Sequence, residues 1–294
     1  MRRDLSEGLE SAIISSRGLK RVVDPIDGGL NRVFQSKALH PLKLLLNGGW
    51  LGHPLHPALT DLPVGAWTVA IVLDLAVLLF RAPTGRASAI AVALGLLGAV
   101  GAALSGLMDW LDVNPPEKAV GAVHALLNGT ATVLFAVSLA LRAGRHWHVS
   151  LSAFAAAVAG YALLMAGAYL GGSIVFRMGA MINRNAYRSG PDDFATAIPA
   201  SELPEGELKR VTVGEEPVLL LRRGETIFAV GAVCSHYGAP LEEGKLRDGQ
   251  VECPWHASRF ELEDGSVRQG PAGAPLPCYE VRVAGGQIQV RRRA

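Results

Sequence analysis

The sequence predicts an α-helical membrane bundle of four transmembrane helices followed by a small all-β domain. Three observations predict it. Half of the 294 residues are hydrophobic and only 18% are charged, against about 25% charged in an average soluble protein. Four apolar stretches are each long enough to cross a bilayer, which takes roughly 20 helical residues. Beyond residue 195 the pattern gives way to short β-branched runs of period two. The same composition excludes collagen and disorder, and three cysteines cannot form a disulfide framework. The net charge of +2 divides weakly, with 16 Lys+Arg against 12 Asp+Glu over residues 1–194 and 12 against 14 over residues 195–294. That contrast is too slight to point to a nucleic-acid partner.

Arg2 and Arg3 hint at a twin-arginine export signal, but Glu7 and Glu10 break up the stretch where its apolar core would lie, so no cleavable signal is expected. Residues 1–57 read as an N-terminal peripheral segment. Leu30, Val33, Phe34, Lys37 and Leu45 recur near helical spacing, which suits an amphipathic helix at the membrane interface; an irregular leader is the alternative. A transmembrane domain over residues 58–176 comes next, with spans at 62–80, 88–108, 119–141 and 149–176. Asp61 can cap the first span with Pro63 in its first turn. Asp74 is the only charge within the four spans and is expected to face the bundle interior, held by a polar partner or serving a proton route. The loops 81–87, 109–118 and 142–148 carry Pro, Gly, Arg and His. Trp110 and Trp147 mark span ends, as interfacial tryptophans do. Gly98, Ala102 and Gly106 form a small-xxx-small series for close helix packing. The series Gly95, Gly98 and Gly101 lies mid-helix with no strand before it, so it reads as packing rather than a nucleotide loop.

Four spans place the N-terminal segment, the 109–118 loop and the C-terminal domain on one membrane face. Near the bilayer that face holds Lys37, Lys43, Lys118, Arg177, Arg184 and Arg188, against Arg81, Arg86, Arg142 and Arg145 on the other. Six cations against four favours a cytoplasmic face for both termini of a multi-pass inner (plasma) membrane protein. Residues 177–194, with Asn183, Asn185, Ser189, Gly190 and Pro191, read as a linker. In the domain at 195–294, strands are expected at 211–213, 218–222, 226–230, 279–283 and 287–290. Turns fall at Arg223-Gly224 and Gly285-Gly286.

Within the β domain stand Cys234-Ser235-His236 and Cys253-Pro254-Trp255-His256, with 16 residues between His236 and Cys253. Each loop supplies one thiol and one imidazole. A Cys and a His one or two residues apart on a loop need not meet the same metal ion. Mononuclear zinc sites generally pair Cys with Cys and His with His at chelating spacings, and zinc is the lesser alternative. Cys278, beside an expected strand, reads as a small buried hydrophobe rather than a reactive thiol.

The pattern CxHx16CxxH resembles the Rieske [2Fe-2S] family, in which two histidines replace two cysteines on one iron. The resemblance covers roughly residues 195–293 and is closer to ferredoxin-type members than to respiratory-complex subunits. It implies one [2Fe-2S] cluster per chain, with Cys234 and Cys253 on one iron and His236 and His256 on the outer one. Gly238-Ala239-Pro240-Leu241 and Gly270-Pro271-Ala272 resemble the family's cluster-covering segments. High-potential members carry a disulfide between extra cysteines, where this chain has Ala239 and Trp255. Ala257 stands where a glycine commonly follows the second histidine. Ser258 matches a hydroxyl that donates to the cluster, whereas Phe260 occupies the place of a donating tyrosine. Hydrogen bonds to cluster sulfurs tune the potential, so the missing tyrosine and disulfide imply a value in the lower half of roughly −150 to +300 mV.

Gly52-His53-Pro54-Leu55-His56-Pro57 and Thr60-Asp61-Leu62-Pro63 resemble the opening of a bacterial family of four-span membrane domains, of the DUF2231 type, sometimes fused to Rieske domains. That resemblance covers about residues 45–180 and implies a fold, not an activity. His124 lies inside the third span, where an ionisable group is a functional candidate. A b-type haem held by His124 and either His53 or His56 is one reading. The other is a hydrogen bond from His124 to Asn128 or a neighbouring helix, with the HPxHP stretch shaping the helix entry.

The resemblance implies a membrane-anchored one-electron carrier, working between redox donor and acceptor proteins at the bilayer surface. It implies a component of an oxidoreductase system rather than a complete enzyme. Only 38 residues follow His256, too few for the His/His/carboxylate iron site of an oxygenase. No dinucleotide fingerprint follows a strand. The alternative function is an electron-transfer subunit of a membrane oxidoreductase with a haem or quinone site in the bundle.

Overall fold

The structure, a computed structural model, describes residues 5–293. Arg2 and Arg3 lie outside the described residues. The chain forms two compact units, one of residues 1–47 and 54–180, the other of residues 48–53 and 181–294.

The first unit is helical. Helices α1 (Leu5–Ser15), α2 (Arg17–Phe34) and α3 (His40–Asn47) precede α4 (Leu55–Phe80), α5 (Gly85–Leu111), α6 (Pro115–Ala143) and α7 (Leu151–Gly172). Residues 5–47 are therefore largely helical rather than an irregular leader. Ser16 caps α2 by accepting the Leu19 N–H, and Lys118 of α6 pairs with Asp27 of α2. On α3, Lys43 donates to Asp112 at 2.5 Å and Asn47 Nδ2 donates to the same carboxylate at 3.1 Å.

The helices α4, α5, α6 and α7 with its π-helical extension Ser173–Arg177 are each long and apolar enough to cross a membrane. Pro54, not Asp61, caps α4, so Pro63 lies inside the helix and Asp61 is exposed on its surface. The HPxHP stretch is helical from Leu55 onward because both Pro54 and Pro57 fall where a missing N–H is harmless. In the bundle centre Trp67 stacks on Phe135 with ring centres 4.0 Å apart and donates to the Val92 carbonyl at 3.2 Å. A Cβ on Gly95 would strike the Trp67 indole, which explains that mid-helix glycine by packing.

Asp74 faces the interior as expected. Its partner is Arg142, assigned from sequence to the outer loop 142–148 but standing in the last turn of α6, fully buried. Arg142 Nη1 donates to Asp74 at 2.7 Å and to Ser88 Oγ at 2.9 Å, while Nη2 pairs with the second carboxylate oxygen. Ser88 Oγ donates to Asp74 at 2.5 Å.

The second unit is all-β. Its three sheets are β1 (Ala195–Pro199) with β10 (Gln287–Arg292) and β9 (Tyr279–Ala284), then β2 (Lys209–Val213), β3 (Glu216–Arg223) and β4 (Thr226–Gly231), then β5 (Lys245–Arg247), β6 (Gln250–Glu252), β7 (Arg259–Glu261) and β8 (Val267–Gln269). All named pairings are antiparallel. The five expected strands are present, each slightly longer. Gly285 and Gly286 both take positive φ at the β9–β10 turn, the backbone that a two-residue hairpin needs. One core cluster, including Leu219, Leu221, Val251 and Phe260, surrounds Cys234 and Cys253. Cys278 is half-buried rather than a buried hydrophobe, and its thiol donates to the Glu263 carbonyl at 3.5 Å.

Candidate metal centre

The two cysteine loops of the β unit share one backbone frame. In the first, Cys234 N–H donates to the Ala239 carbonyl at 2.9 Å and Gly238 N–H donates back to the Cys234 carbonyl at 2.9 Å. In the second, Cys253 N–H donates to the Ser258 carbonyl at 2.8 Å and Ala257 N–H to the Cys253 carbonyl at 3.2 Å. The fourth residue after each cysteine turns left-handed, Gly238 at φ +79° and Ala257 at φ +57°. Glycine enters that region without strain, and alanine does not.

These frames bring all four predicted side chains together. Cys234 and Cys253 are buried neighbours, and the rings of His236 and His256 lie 5.0 Å apart at 85°. Two imidazoles on one tetrahedral metal, with bonds of about 2.0 Å and rings of about 1.15 Å radius, have centres about 5.1 Å apart. The spacing of the histidine pair is therefore that of two imidazoles on one metal ion. Hydrogen bonding from the Cys234 thiol, helped by the N–H groups of His256 and Trp255, draws Cys253 down to about 7 against its burial. The same partner and burial push Cys234 up. Thiolate is the form a metal takes.

Two further loops close over the site. Ser258 Oγ is buried and accepts the Ala272 N–H at 3.0 Å, tying the second cysteine loop to residues 270–274. Ser235 Oγ donates to the Ala274 carbonyl at 2.6 Å. Phe260, on β7, is wholly buried in the core around the cysteines. His53 belongs to this unit, its Cα lying 3.5 Å from where a Cβ on Gly273 would stand. His56 and His124 belong to the helical unit.

The expected linker turns out to brace the first loop. Arg184 N–H donates to the Ser235 carbonyl at 3.0 Å, Asn185 Nδ2 donates to the Val233 carbonyl at 2.9 Å, and the Arg184 guanidinium lies 5.7 Å over the Tyr237 ring. Met181 Sδ stands 3.2 Å from His236 Nε2. Tyr237 meets His236 edge to face at 4.7 Å. Nothing in the spacing of Met181, Arg184 and Asn185 singles them out, because their partners lie about fifty residues downstream. On the imidazole side His236 is only 4% exposed, whereas Trp255 is 51% exposed and His256 is half-buried. The site meets solvent at the His256 edge.

Residues 193–280 match the family model described as Rieske [2Fe-2S] domain, and residues 52–184 match the one described as Predicted membrane protein (DUF2231). The 3-phenylpropionate/cinnamic acid dioxygenase ferredoxin subunit of Escherichia coli (strain K12) is 42% identical over 94 residues, covering 31% of this chain and 87% of the relative. The chain belongs to the Rieske family. The anthranilate 1,2-dioxygenase ferredoxin subunit of Burkholderia cepacia is 35% identical to this Rieske chain over 89 residues, 30% of the chain and 82% of the relative. Apoptosis-inducing factor 3 of Mus musculus is 33% identical over 97 residues, 33% of the chain, but the chain spans only 16% of that relative. Among solved structures, the ferredoxin of carbazole 1,9a-dioxygenase from Nocardioides aromaticivorans IC177 is 27% identical, with a TM-score of 0.33, over 34% of this chain and 98% of that one. A Rieske domain implies a [2Fe-2S] cluster, and the donor set here suits it: two thiols and two imidazoles, paired by type.

Proposed function

We propose that this Rieske protein is a membrane-anchored one-electron carrier, with Cys234 and Cys253 ligating one iron of the cluster and His236 and His256 the other. When bound, the cluster supplies a reversible one-electron couple. The chain's own residues do the rest. The two loop frames hold the four donors, the hydrophobic core with Phe260 excludes water from the sulfur side, and Ser258 and Ser235 lock the covering loop. His256 with exposed Trp255 forms the edge at which a partner approaches. The four apolar helices tether the Rieske domain to a bilayer, restricting partners to proteins that work there.

The observation that carries this reading is the 5.0 Å, near-perpendicular pairing of His236 with His256 beside two buried thiols. The dioxygenase ferredoxin relatives support a partner of the same kind, a redox protein that accepts electrons one at a time. The cation balance of the loops supports an inner-membrane location with the Rieske domain in the cytoplasm. EPR of dithionite-reduced membranes tests the centre. A mixed His/Cys cluster gives a lower average g value than an all-cysteine one, and a silent sample containing zinc would overturn the proposal. Protease accessibility of the β domain in inverted and right-side-out vesicles tests the orientation.

A further inference from the structure

Two histidines in the helical unit are left unused by the cluster. His56 stands in the first turn of α4 and His124 inside α6. Helix α4 packs chiefly on α5, and α6 chiefly on α7, so the two rings come from different helix pairs. Their ring centres lie 6.1 Å apart with planes at 81°.

Each ring is held in the same way. His56 Nδ1 is 2.7 Å from the Ala102 carbonyl of α5, and His124 Nδ1 is 2.7 Å from the Gly167 carbonyl of α7. A carbonyl accepts only, so each Nδ1 carries the proton and each Nε2 presents a lone pair. Metal-ligating histidines are fixed in this way, the far nitrogen tied to a carbonyl or carboxylate. The amide of Asn128 lies over the His124 ring, with Nδ2 3.3 Å from Nδ1, 3.4 Å from Nε2 and 2.9 Å from the His124 carbonyl. The carbonyl is its good acceptor. Glycines leave room for both rings: a Cβ on Gly106 would come within 2.6 Å of His56 Nδ1, and one on Gly171 within 3.0 Å of His124 Cε1.

Distance decides what such a pair can hold. With metal–nitrogen bonds of about 2.0 Å and rings of about 1.15 Å radius, two imidazoles at the tetrahedral angle have centres about 5.1 Å apart, and two in trans about 6.3 Å. The pair His236/His256, at 5.0 Å, matches the first. The pair His56/His124, at 6.1 Å, matches the second. A six-coordinate iron with trans imidazoles needs four more donors around its equator, and among the described residues no group of three or more His, Cys, Asp or Glu side chains could hold a metal ion. The equatorial donors must arrive with the metal, as they do in a porphyrin.

We propose that His56 and His124 are the two axial ligands of a haem iron inside the helical bundle. With both axial positions filled by protein, the iron has no open site for oxygen, so the haem is a low-spin electron carrier. The proposal stands on the helical unit alone and does not depend on the cluster reading.

The test uses the full chain in detergent micelles or nanodiscs, titrated with haemin, with cluster EPR recorded on the same samples. One haem per chain is expected, with a sharp reduced α-band and a strongly anisotropic ferric low-spin EPR signal from the near-perpendicular rings. His56→Ala and His124→Ala are each expected to lose the low-spin spectrum while the cluster signal persists. His124→Gly is expected to regain it with added imidazole, which separates ligand loss from misfolding; the His146→Ala loop variant is expected to match the unmodified chain. A chain with full cluster signal that takes up no haemin would overturn the proposal, as would undiminished low-spin haem in both alanine variants. A chain with haem but no cluster signal would uphold the proposal and sink the one-electron carrier function of the Rieske domain.

Discussion

Replacing Arg142 by methionine isolates the carboxylate of Asp74 inside the helical bundle. Both side chains are 0% exposed, and Asp74 accepts two hydrogen bonds from the guanidinium and one from Ser88. The substitution removes both guanidinium bonds and the countercharge, leaving only Ser88. Removing one partner of a buried pair costs about 3–5 kcal/mol, and an uncompensated aspartate at mid-helix costs about 2.5–3.5 kcal/mol on insertion scales. The two ranges overlap near 3 kcal/mol, about a hundredfold in the folding equilibrium. A double variant, Asp74→Leu with Arg142→Met, removes both charges and is expected to recover most of that loss, because an apolar pair of similar volume is often neutral where a buried ion pair stood. Denaturant titration in mixed micelles, followed by helical circular dichroism, reads these two variants with Asp74→Leu alone and closes a double-mutant cycle. A loss below about 1 kcal/mol for Arg142→Met, or a double variant as unstable as the two single losses added, would refute the reasoning.

Other outcomes are expected at the cluster loops. Ala257→Gly relieves a left-handed alanine, worth roughly 1–2 kcal/mol against about 0.5–1 kcal/mol for the extra freedom of glycine. A small gain in the thermal stability of the β domain is expected, and a loss would show that the φ of +57° is unstrained. Phe260→Tyr adds a hydroxyl beside the cysteine core and is expected to raise the cluster potential. A net hydrogen bond of about 0.5–1.5 kcal/mol converts to roughly 20–65 mV for one electron, measurable by redox titration. The unmodified chain is expected in the lower half of roughly −150 to +300 mV, and a value near the top would sink that expectation. Cys234→Ser is expected to abolish the reduced EPR signal and the iron content while helical circular dichroism stays unchanged; retained iron at full occupancy would contradict the ligand assignment.

The parts of this protein legible in its sequence are those that short-range regularities determine. Apolar runs of bilayer length marked the four long helices, and one thiol and one imidazole on each of two loops marked the centre, because hydropathy and ligand spacing are properties of adjacent residues. The strands of five or more residues showed as short β-branched or apolar runs, apart from β1. The three-residue strands β5 to β8 could not, since three residues hold too little of a period to read. Only the tertiary structure decided which distant groups meet. Asp74 finds its countercharge 68 residues away on another helix, and Met181, Arg184 and Asn185 reach back onto a loop that nothing in their own neighbourhood announces. His56 rather than His53 faces His124, although the two stand three positions apart in one HPxHP stretch. The physical reason is common to all of these: local sequence sets the period and polarity of an element, but the face it turns to a partner is chosen by packing against residues that the local sequence does not contain.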